Sequence, residues 1–185
     1  IELQTSRLTG AIPPAVHRHL LSARLVHEKQ KRDLVYECEK IQLALQSIGE
    51  KLVLLKGAAY LVSGIPAGRG CLITDIDILV PQHRIDVAEE ALVHYGWERG
   101  DIDSYDDHFY RNWGHEIPPL TNPKRDTTLD VHHNILPPTS GPRVNANLLF
   151  ERLIEVTPGV YTLSWHDLVI HSATHLFHEG EFHHG

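Results

Sequence analysis

The sequence predicts a mixed α/β fold of the α+β kind, built on a mixed sheet with N-terminal helices and a helical C-terminal region. A helical pattern covers residues 14–48, strand-like runs follow at 51–56, 72–80 and 127–135, and helical patterns continue after Pro138. Strands separated by helices in the middle of a chain are typical of one layered domain. The three strand-like runs therefore define the expected core.

The N-terminal helix is predicted from the spacing of its apolar residues. The residues that recur at intervals of three and four positions are Leu34, Cys38, Ile41, Leu45 and Ile48. This spacing places them on one face of a helix, and the glycine that follows is typical of a helix C-terminus.

Strands and helices are predicted to alternate through the core. The predicted elements are, in order, strand 51–56, helix 58–62, strand 72–80, helix 83–95, strand 108–113 and strand 127–135. The residues of helix 83–95 expected to face inward are Ile85, Ala88, Leu92 and Tyr95.

These elements divide the chain into an N-terminal helical segment at 1–50, a core at 51–140 and a C-terminal helical region at 141–185. Within the last region, Ser164 and Asp167 form a capping box that predicts the start of a helix. The sequence ends without a terminating signal, so the protein is expected to continue beyond Gly185.

Composition excludes several classes of function. The chain has 185 residues and a net charge of −7 with neutral histidines, and it shows no basic stripe of the kind that grips long nucleic acid. A nucleotide or a docked RNA end remains compatible with this charge. No apolar run reaches the ~18 residues needed to span a bilayer, so no membrane partner is expected. The two cysteines, Cys38 and Cys71, lie far apart, which indicates a reducing, cytoplasmic environment.

Two acids, Asp75 and Asp77, lie close together in the strand predicted at 72–80. Side chains alternate faces along a strand, so both carboxylates should point to one side while Ile76 and Ile78 point into the core. Such a pair is unfavourable unless a cation lies between the carboxylates, and Mg²⁺ or Mn²⁺ would meet that need. An edge strand with an exposed polar face explains the pair equally well. Because like charges repel, Asp77→Asn should leave the metal-free protein equally stable or more stable.

A later strand supplies a third carboxylate, Asp130, which is a single acid among apolar and β-branched residues. If the two strands are neighbours, Asp130 joins Asp75 and Asp77, and three carboxylates suit two-metal phosphoryl transfer. His132 lies two residues further on and therefore on the same face. It could orient a carboxylate or contact a nucleotide from outside the metal ligands, or it could be a hydrogen-bonded core histidine.

A candidate phosphate-binding feature precedes the acidic pair. Gly57 lies at a strand-to-helix junction, where the backbone can approach an anion and the helix N-terminus favours it. Lys56 would add positive charge at the same place. The alternative is that Lys56 is structural and pairs with a nearby acid such as Glu50.

Three segments, LLKGAAYLV, GRGCLITDIDILVP and LDVHHNIL, together resemble the DNA polymerase β superfamily, and more narrowly a group of uncharacterised bacterial nucleotidyltransferases. The resemblance covers about 52–136 with specific motifs, and it implies a nucleotidyltransferase fold. The metal ligands that it implies are Asp75, Asp77 and Asp130, and the implied nucleotide contacts are Lys56, Gly57, Ala58 and Arg69. The sequence departs from the pattern at Ala58, where glycine or serine is usual, so a hydroxyl that could contact phosphate is missing.

The sequence therefore predicts a Mg²⁺- or Mn²⁺-dependent nucleotidyltransferase that moves a nucleoside monophosphate from an NTP to an unidentified acceptor. The acceptor would be a small molecule, a protein or an RNA end. One alternative is a catalytically weak nucleotide-binding or regulatory module of the same fold, comparable to a toxin–antitoxin partner. A second alternative is a zinc-dependent hydrolase. Its candidate ligands are the C-terminal histidines His171, His175, His178, His183 and His184, which solvated or core positions explain as well.

Overall fold

The computed structural model describes residues 12–178, without the side chains of residues 104, 106 and 112. The helices in this range are α1 (Pro14–Ser47), α2 (Lys56–Val62), α3 (Ile85–His94), α4 (Ser104–Trp113), α5 (Asn147–Phe150) and α6 (Trp165–His178). The strands are β1 (Leu52–Leu54), β2 (Asp75–Leu79), β3 (Glu98–Arg99), β4 (Leu120–Asn122), β5 (Thr127–His132), β6 (Ile154–Thr157) and β7 (Val160–Thr162). Short 3₁₀ turns occur at Pro66–Gly68 and Gln82–Arg84.

These strands form one mixed sheet of seven strands, in the order β3-β4-β5-β2-β1-β7-β6. The central strand β2 is parallel to β5 and antiparallel to β1, while β1 is parallel to β7. The remaining pairs, β3–β4, β4–β5 and β6–β7, are antiparallel. The predicted α/β fold with a mixed sheet, an N-terminal helix and a C-terminal helix is confirmed.

The middle of the sheet is buried. All three residues of β1 are inaccessible to solvent, and so are the last four residues of β2. Helix α1 packs against β1 and α3, while α2 packs against β2 and α6. A strand in this position needs an apolar side chain at nearly every residue. Asp77 is the polar exception among the buried residues of β2, so its burial requires compensating partners.

Helix α1 buries the face predicted from its spacing. The apolar residues of this face that are at most 5% exposed are Leu34, Cys38, Ile41 and Leu45. Glu37 lies on the same side, and its Oε1 accepts a hydrogen bond from Arg125 Nε at 2.6 Å. This partly buried ion pair ties the helix to the turn before β5. Neither α1 nor any other helix between residues 12 and 178 has the combination of length and apolar character that a membrane span requires.

Helix α3 buries Ala88 and Leu92 as predicted, but the expectation for Tyr95 is wrong. The helix ends at His94, and Tyr95 is its C-cap residue. Tyr95 is 37% exposed.

The prediction of a strand at 108–113 is also wrong, since this segment belongs to helix α4. Its aromatic residues favour a strand by propensity, yet Tyr105, Phe109 and Trp113 recur every four positions. An ion pair at the same spacing, between Arg111 Nε and Asp107 Oδ1 at 2.9 Å, supports the helix. Arg111 also contacts Glu89 of α3 at 2.9 Å, so a tertiary contact fixes a helix that local propensity disfavours.

The C-terminal region contains two strands where only helices were predicted. Strands β6 and β7 form a hairpin, and β7 extends the sheet alongside β1. The turn between them holds Pro158 and Gly159, and Gly159 has φ 75°, which is the left-handed conformation that favours glycine. Proline and glycine between two short runs rich in β-branched residues are a hairpin signal, so the sequence did contain the information. Helix α6 begins as predicted, with the Asp167 backbone N–H donating to Ser164 Oγ at 3.2 Å.

Candidate active site

Three carboxylates meet at the centre of the sheet. In the parallel pair of β2 and β5, Asp77 lies directly opposite Asp130, and Asp75 is two residues before Asp77 on the same face. Oxygen atoms of the three carboxylates lie within 4.8 Å of one another. The structure therefore brings together the three residues that the sequence predicted as metal ligands.

Asp77 is the most buried of the three acids, at 2% exposure, and it has two partners. Lys56 Nζ lies 2.8 Å from Asp77 Oδ1, and His132 Nε2 lies 2.9 Å from the same oxygen. Burial alone would raise the pKa of Asp77. The hydrogen bonds and charges of His132 and Lys56 outweigh burial and hold the pKa of Asp77 below its usual value.

Lys56 makes a contact that the sequence did not suggest. Glu50, the partner considered in the structural alternative for Lys56, instead pairs with Arg84 Nε at 2.8 Å. Lys56 also begins helix α2 with φ 45°, a left-handed conformation that is uncommon for a residue other than glycine. Such strain persists only where surrounding contacts hold the residue in place, and it concentrates at functional sites. The ion pair with Asp77 is one of those contacts.

The surroundings of Asp130 disfavour the negative charge of its ionised carboxyl group. Burial, and after it the charges of Asp77, Glu116 and Asp75, raise the pKa of its carboxyl group to about 7. A hydrogen bond with Asp75 acts in the same direction. The Oδ1 atom of Asp130 is buried and has no hydrogen-bond partner. In the absence of a cation, Asp130 therefore takes up a proton near neutral pH.

A divalent cation fits this group of residues. All three donors are carboxylate oxygens, which Mg²⁺ and Mn²⁺ prefer. The unpartnered Oδ1 of Asp130 and the raised pKa of its carboxyl group both mark an excess of negative charge over what Lys56 and His132 supply. The residues present thus suit the predicted cofactor.

The predicted nucleotide contacts lie at the start of α2 and in the loop after it. A Cβ atom on Gly57 would lie 3.4 Å from Cys71 Sγ, so Gly57 faces the loop before β2. The side chain of Ala58 is fully buried in the core, which leaves only its backbone for ligand contact. Arg69 is exposed after the 3₁₀ turn. Lys56 alone of these four has a contact with the carboxylates, and nucleotide binding at all four stays a prediction.

Helix α6 places His171 beside the site. His171 is 3% exposed, and its Nδ1 atom has no hydrogen-bond partner. Burial, and after it the positive charges of His132 and Lys56, lower its pKa to about 3, while Asp77 acts in the opposite direction. The sequence placed His171 on a histidine stripe but did not show that it lies near Lys56 and His132.

A cleft of about 440 Å³ opens next to Asp75. Residues of α1, the start of β2 and the turn between β4 and β5 line it, among them Gln30, Thr74 and Arg125. The Thr74 hydroxyl donates to Asp75 Oδ1 at 2.9 Å, which orients this carboxylate at the edge of the cleft. The volume is in the range typical of small-molecule sites.

Comparison with known proteins identifies the family. Residues 2–185 match the family described as uncharacterised nucleotidyltransferases. The chain belongs to this family. The resemblance of its motifs to the DNA polymerase β superfamily fits the assignment, and the match extends past the motif-bearing segment 52–136 in both directions. No match was found among curated proteins or among solved structures.

Two groups of potential metal ligands occur in the described part of this nucleotidyltransferase-family chain. One is the group of three aspartates, and the other is formed by His115, Glu116 and His132. His115 and Glu116 were not predicted as site residues, because no recognisable ligand motif surrounds them in the sequence. The histidine stripe of α6 forms no such group within residues 12–178, and His183 and His184 lie outside the described residues.

Proposed function

We propose that this protein transfers a nucleoside monophosphate from an NTP to an acceptor hydroxyl in a reaction that depends on Mg²⁺ or Mn²⁺. The convergence of Asp75, Asp77 and Asp130 within 4.8 Å, in a chain of the nucleotidyltransferase family, carries this proposal. Burial and mutual repulsion make such a cluster unfavourable without a cation. Perturbed carboxyl groups of this kind concentrate at functional sites.

The charged residues of the site have separate roles in this proposal. Asp75, Asp77 and Asp130 would hold the metal ions, which lower the pKa of the attacking hydroxyl and neutralise charge on the triphosphate. The Asp130 carboxylate, which would hold the catalytic ion, would also assist loss of the acceptor proton. Lys56 would supply positive charge that Asp77 and the triphosphate share.

Nucleotide binding is proposed to involve Lys56 together with the backbone at Gly57 and Ala58, and the exposed Arg69. A charge-assisted contact between Lys56 and phosphate contributes about 1.5–3 kcal/mol, which is roughly a ten- to hundredfold change in affinity. Lys56→Ala should weaken ATP binding by about that factor. The same change removes the cation paired with Asp77, so Mn²⁺ should bind more tightly.

Isothermal titration of Lys56→Ala with ATP, and separately with Mn²⁺, measures both effects. The matched control is Lys124→Ala, which removes an exposed lysine from the turn between β4 and β5. If Lys56 is purely structural, Lys56→Ala will lower the melting temperature and leave the affinity for ATP unchanged.

The catalytically weak binding module remains the alternative function, and two observations favour it. The buried Ala58 offers no hydroxyl to a phosphate, and the Lys56 ammonium group already lies against Asp77. In that case the protein would bind a nucleotide and Mn²⁺ but would transfer no label.

The test of the proposed function is a transfer assay with four NTPs, each labelled at the α-phosphate, in the presence of cell extract. Since the chain is acidic and shows no basic stripe, the proposed acceptor is a small molecule, a protein or an RNA end rather than long nucleic acid. We expect label to appear on one acceptor, only with Mg²⁺ or Mn²⁺, and to disappear with Asp75→Asn. Transfer at an unchanged rate by Asp75→Asn would refute the assignment.

A further inference from the structure

The second group of potential ligands lies where the segment before β4 meets the end of β5. Backbone contacts fix this junction, because His133 N–H donates to the His115 carbonyl oxygen at 2.8 Å and Ile117 N–H donates to that of Val131 at 3.0 Å. Glu116 and His132 also face each other in an isolated antiparallel bridge. The backbone at His115 and Glu116 is therefore tied to the end of β5, which carries His132.

His132 has one ring nitrogen engaged and one that points at Glu116. Its Nε2 lies 2.9 Å from Asp77 Oδ1, and because a carboxylate only accepts, Nε2–H is the donor. Its Nδ1 is buried, lies 3.1 Å from Glu116 Oε2 and makes no hydrogen bond there. With both ring nitrogens protonated, His132 forms an ion pair with Glu116 at this distance. In the neutral ring that metal binding requires, a lone pair of Nδ1 faces a carboxylate oxygen. Two acceptors at this distance repel each other unless a cation lies between them.

The third donor is close enough to complete a site. The His115 and His132 rings have centroids 5.3 Å apart, and ligand atoms of His115, Glu116 and His132 lie within 4.8 Å of one another. His132 is 1% exposed, whereas the Glu116 side chain is 26% exposed, so solvent reaches at least one of the three donors. Two imidazoles and one carboxylate, with a position left for water, are a donor set typical of zinc and other borderline divalent transition metals.

We propose that His115, Glu116 and His132 form a binding site for a divalent transition metal such as Zn²⁺, separate from the oxygen-only site of the three aspartates. Asp77 would then accept a hydrogen bond from Nε2 of the metal-bound His132. Hydrogen bonds of this kind orient metal-binding imidazoles in many proteins. One imidazole would thus contact this metal through Nδ1 and the proposed catalytic carboxylate through Nε2. The proposal concerns metal binding and does not rest on nucleotidyl transfer.

Co²⁺ is the probe for this site, because its visible absorption reports nitrogen and oxygen ligands in a low-symmetry environment. The full chain, stripped of metal with a chelator, is titrated with Co²⁺ without nucleotide, and His115→Ala and Glu116→Gln are titrated in parallel. Removing a residue that only hydrogen-bonds to a metal ligand typically weakens metal binding about 10–100-fold. Removing a ligand itself should therefore weaken Co²⁺ binding at least about tenfold. Thermal melts of each variant establish that it is folded.

Two controls separate this site from the other metal-binding groups. His175→Ala removes a histidine of α6, and Asp75→Asn weakens the oxygen-only site, and both should retain the Co²⁺ spectrum. Unchanged Co²⁺ affinity in both His115→Ala and Glu116→Gln would overturn the proposal, as would loss of the spectrum in His175→Ala alone. If His115→Ala does not fold, Glu116→Gln, which keeps the size of the side chain, decides the question. None of these outcomes bears on label transfer from an NTP, so the two proposals fail independently.

Discussion

Asp77→Asn is expected to reduce nucleotidyl transfer at least about a hundredfold, the loss typical when a group that stabilises transition-state charge is removed. Asn lacks the negative charge that a metal ligand requires here, so Mn²⁺ affinity should fall as well. The amide is nearly isosteric with the carboxyl group, which keeps the fold. Label transfer from the α-phosphate and titration with Mn²⁺ are the measurements, and Asp101→Asn in the exposed loop before α4 is the matched control.

The sequence suggested that Asp77→Asn leaves the metal-free protein equally stable or more stable. The structure predicts the opposite, a loss of stability. Lys56 and His132 contact the Asp77 carboxylate and hold its pKa below the usual value. A carboxyl group of this kind stabilises the fold above its unfolded-state pKa and loses that contribution as pH falls. Hydrogen bonds to charged groups contribute about 1.5–3 kcal/mol, so the metal-free variant should melt several degrees lower at pH 8, at roughly 2–4 °C per kcal/mol. The difference should shrink in acid, and an equal or higher melting temperature at pH 8 would show that the two contacts contribute nothing.

Asp130→Asn should show the opposite change in the metal-free protein. Burial and neighbouring carboxylates raise the pKa of Asp130 to about 7, above its unfolded-state value of about 3.9. The folded state therefore keeps this proton while the unfolded state loses it, so wild-type stability falls as pH rises between those two values and levels off above about 7. An asparagine does not ionise and avoids this loss. Because solvent reaches part of this carboxyl group, we expect a gain of only about 1–2 kcal/mol at pH 8.

Thermal melts of both proteins at pH 4 and pH 8, with and without Mn²⁺, test this prediction. At pH 4 the two should be nearly equal, and at pH 8 without metal Asp130→Asn should melt higher. With saturating Mn²⁺ the order should reverse, because binding to the folded state at 100 times the Kd contributes about 2.7 kcal/mol to the wild type. Lower stability of metal-free Asp130→Asn at pH 8 would contradict the pKa assigned to this carboxyl group.

The sequence by itself determined the pair of aspartates on one face of β2 and the elements that surround it. Alternation along β2 places Asp75 and Asp77 on one face, because the side-chain period of a strand is two residues. The apolar character of β1, β2 and β5 predicted a buried sheet, and the four-three spacing of α1 predicted its buried face. These patterns are local. They can be interpreted from the sequence because the periods of strands and helices are the same in every protein.

Only the tertiary structure decided which strands are neighbours and what surrounds the carboxylates. The parallel register of β2 and β5 sets Asp77 opposite Asp130, and the packing of α2 and α6 brings in Lys56 and His171. The same is true of His115, whose partner His132 lies on another strand. Helix α4 likewise depends on a distant contact, between Arg111 and Glu89, which outweighs weak local propensity. A single sequence contains no direct signal for which of its distant residues will meet, because burial and charge pairing favour such contacts only once the chain has folded.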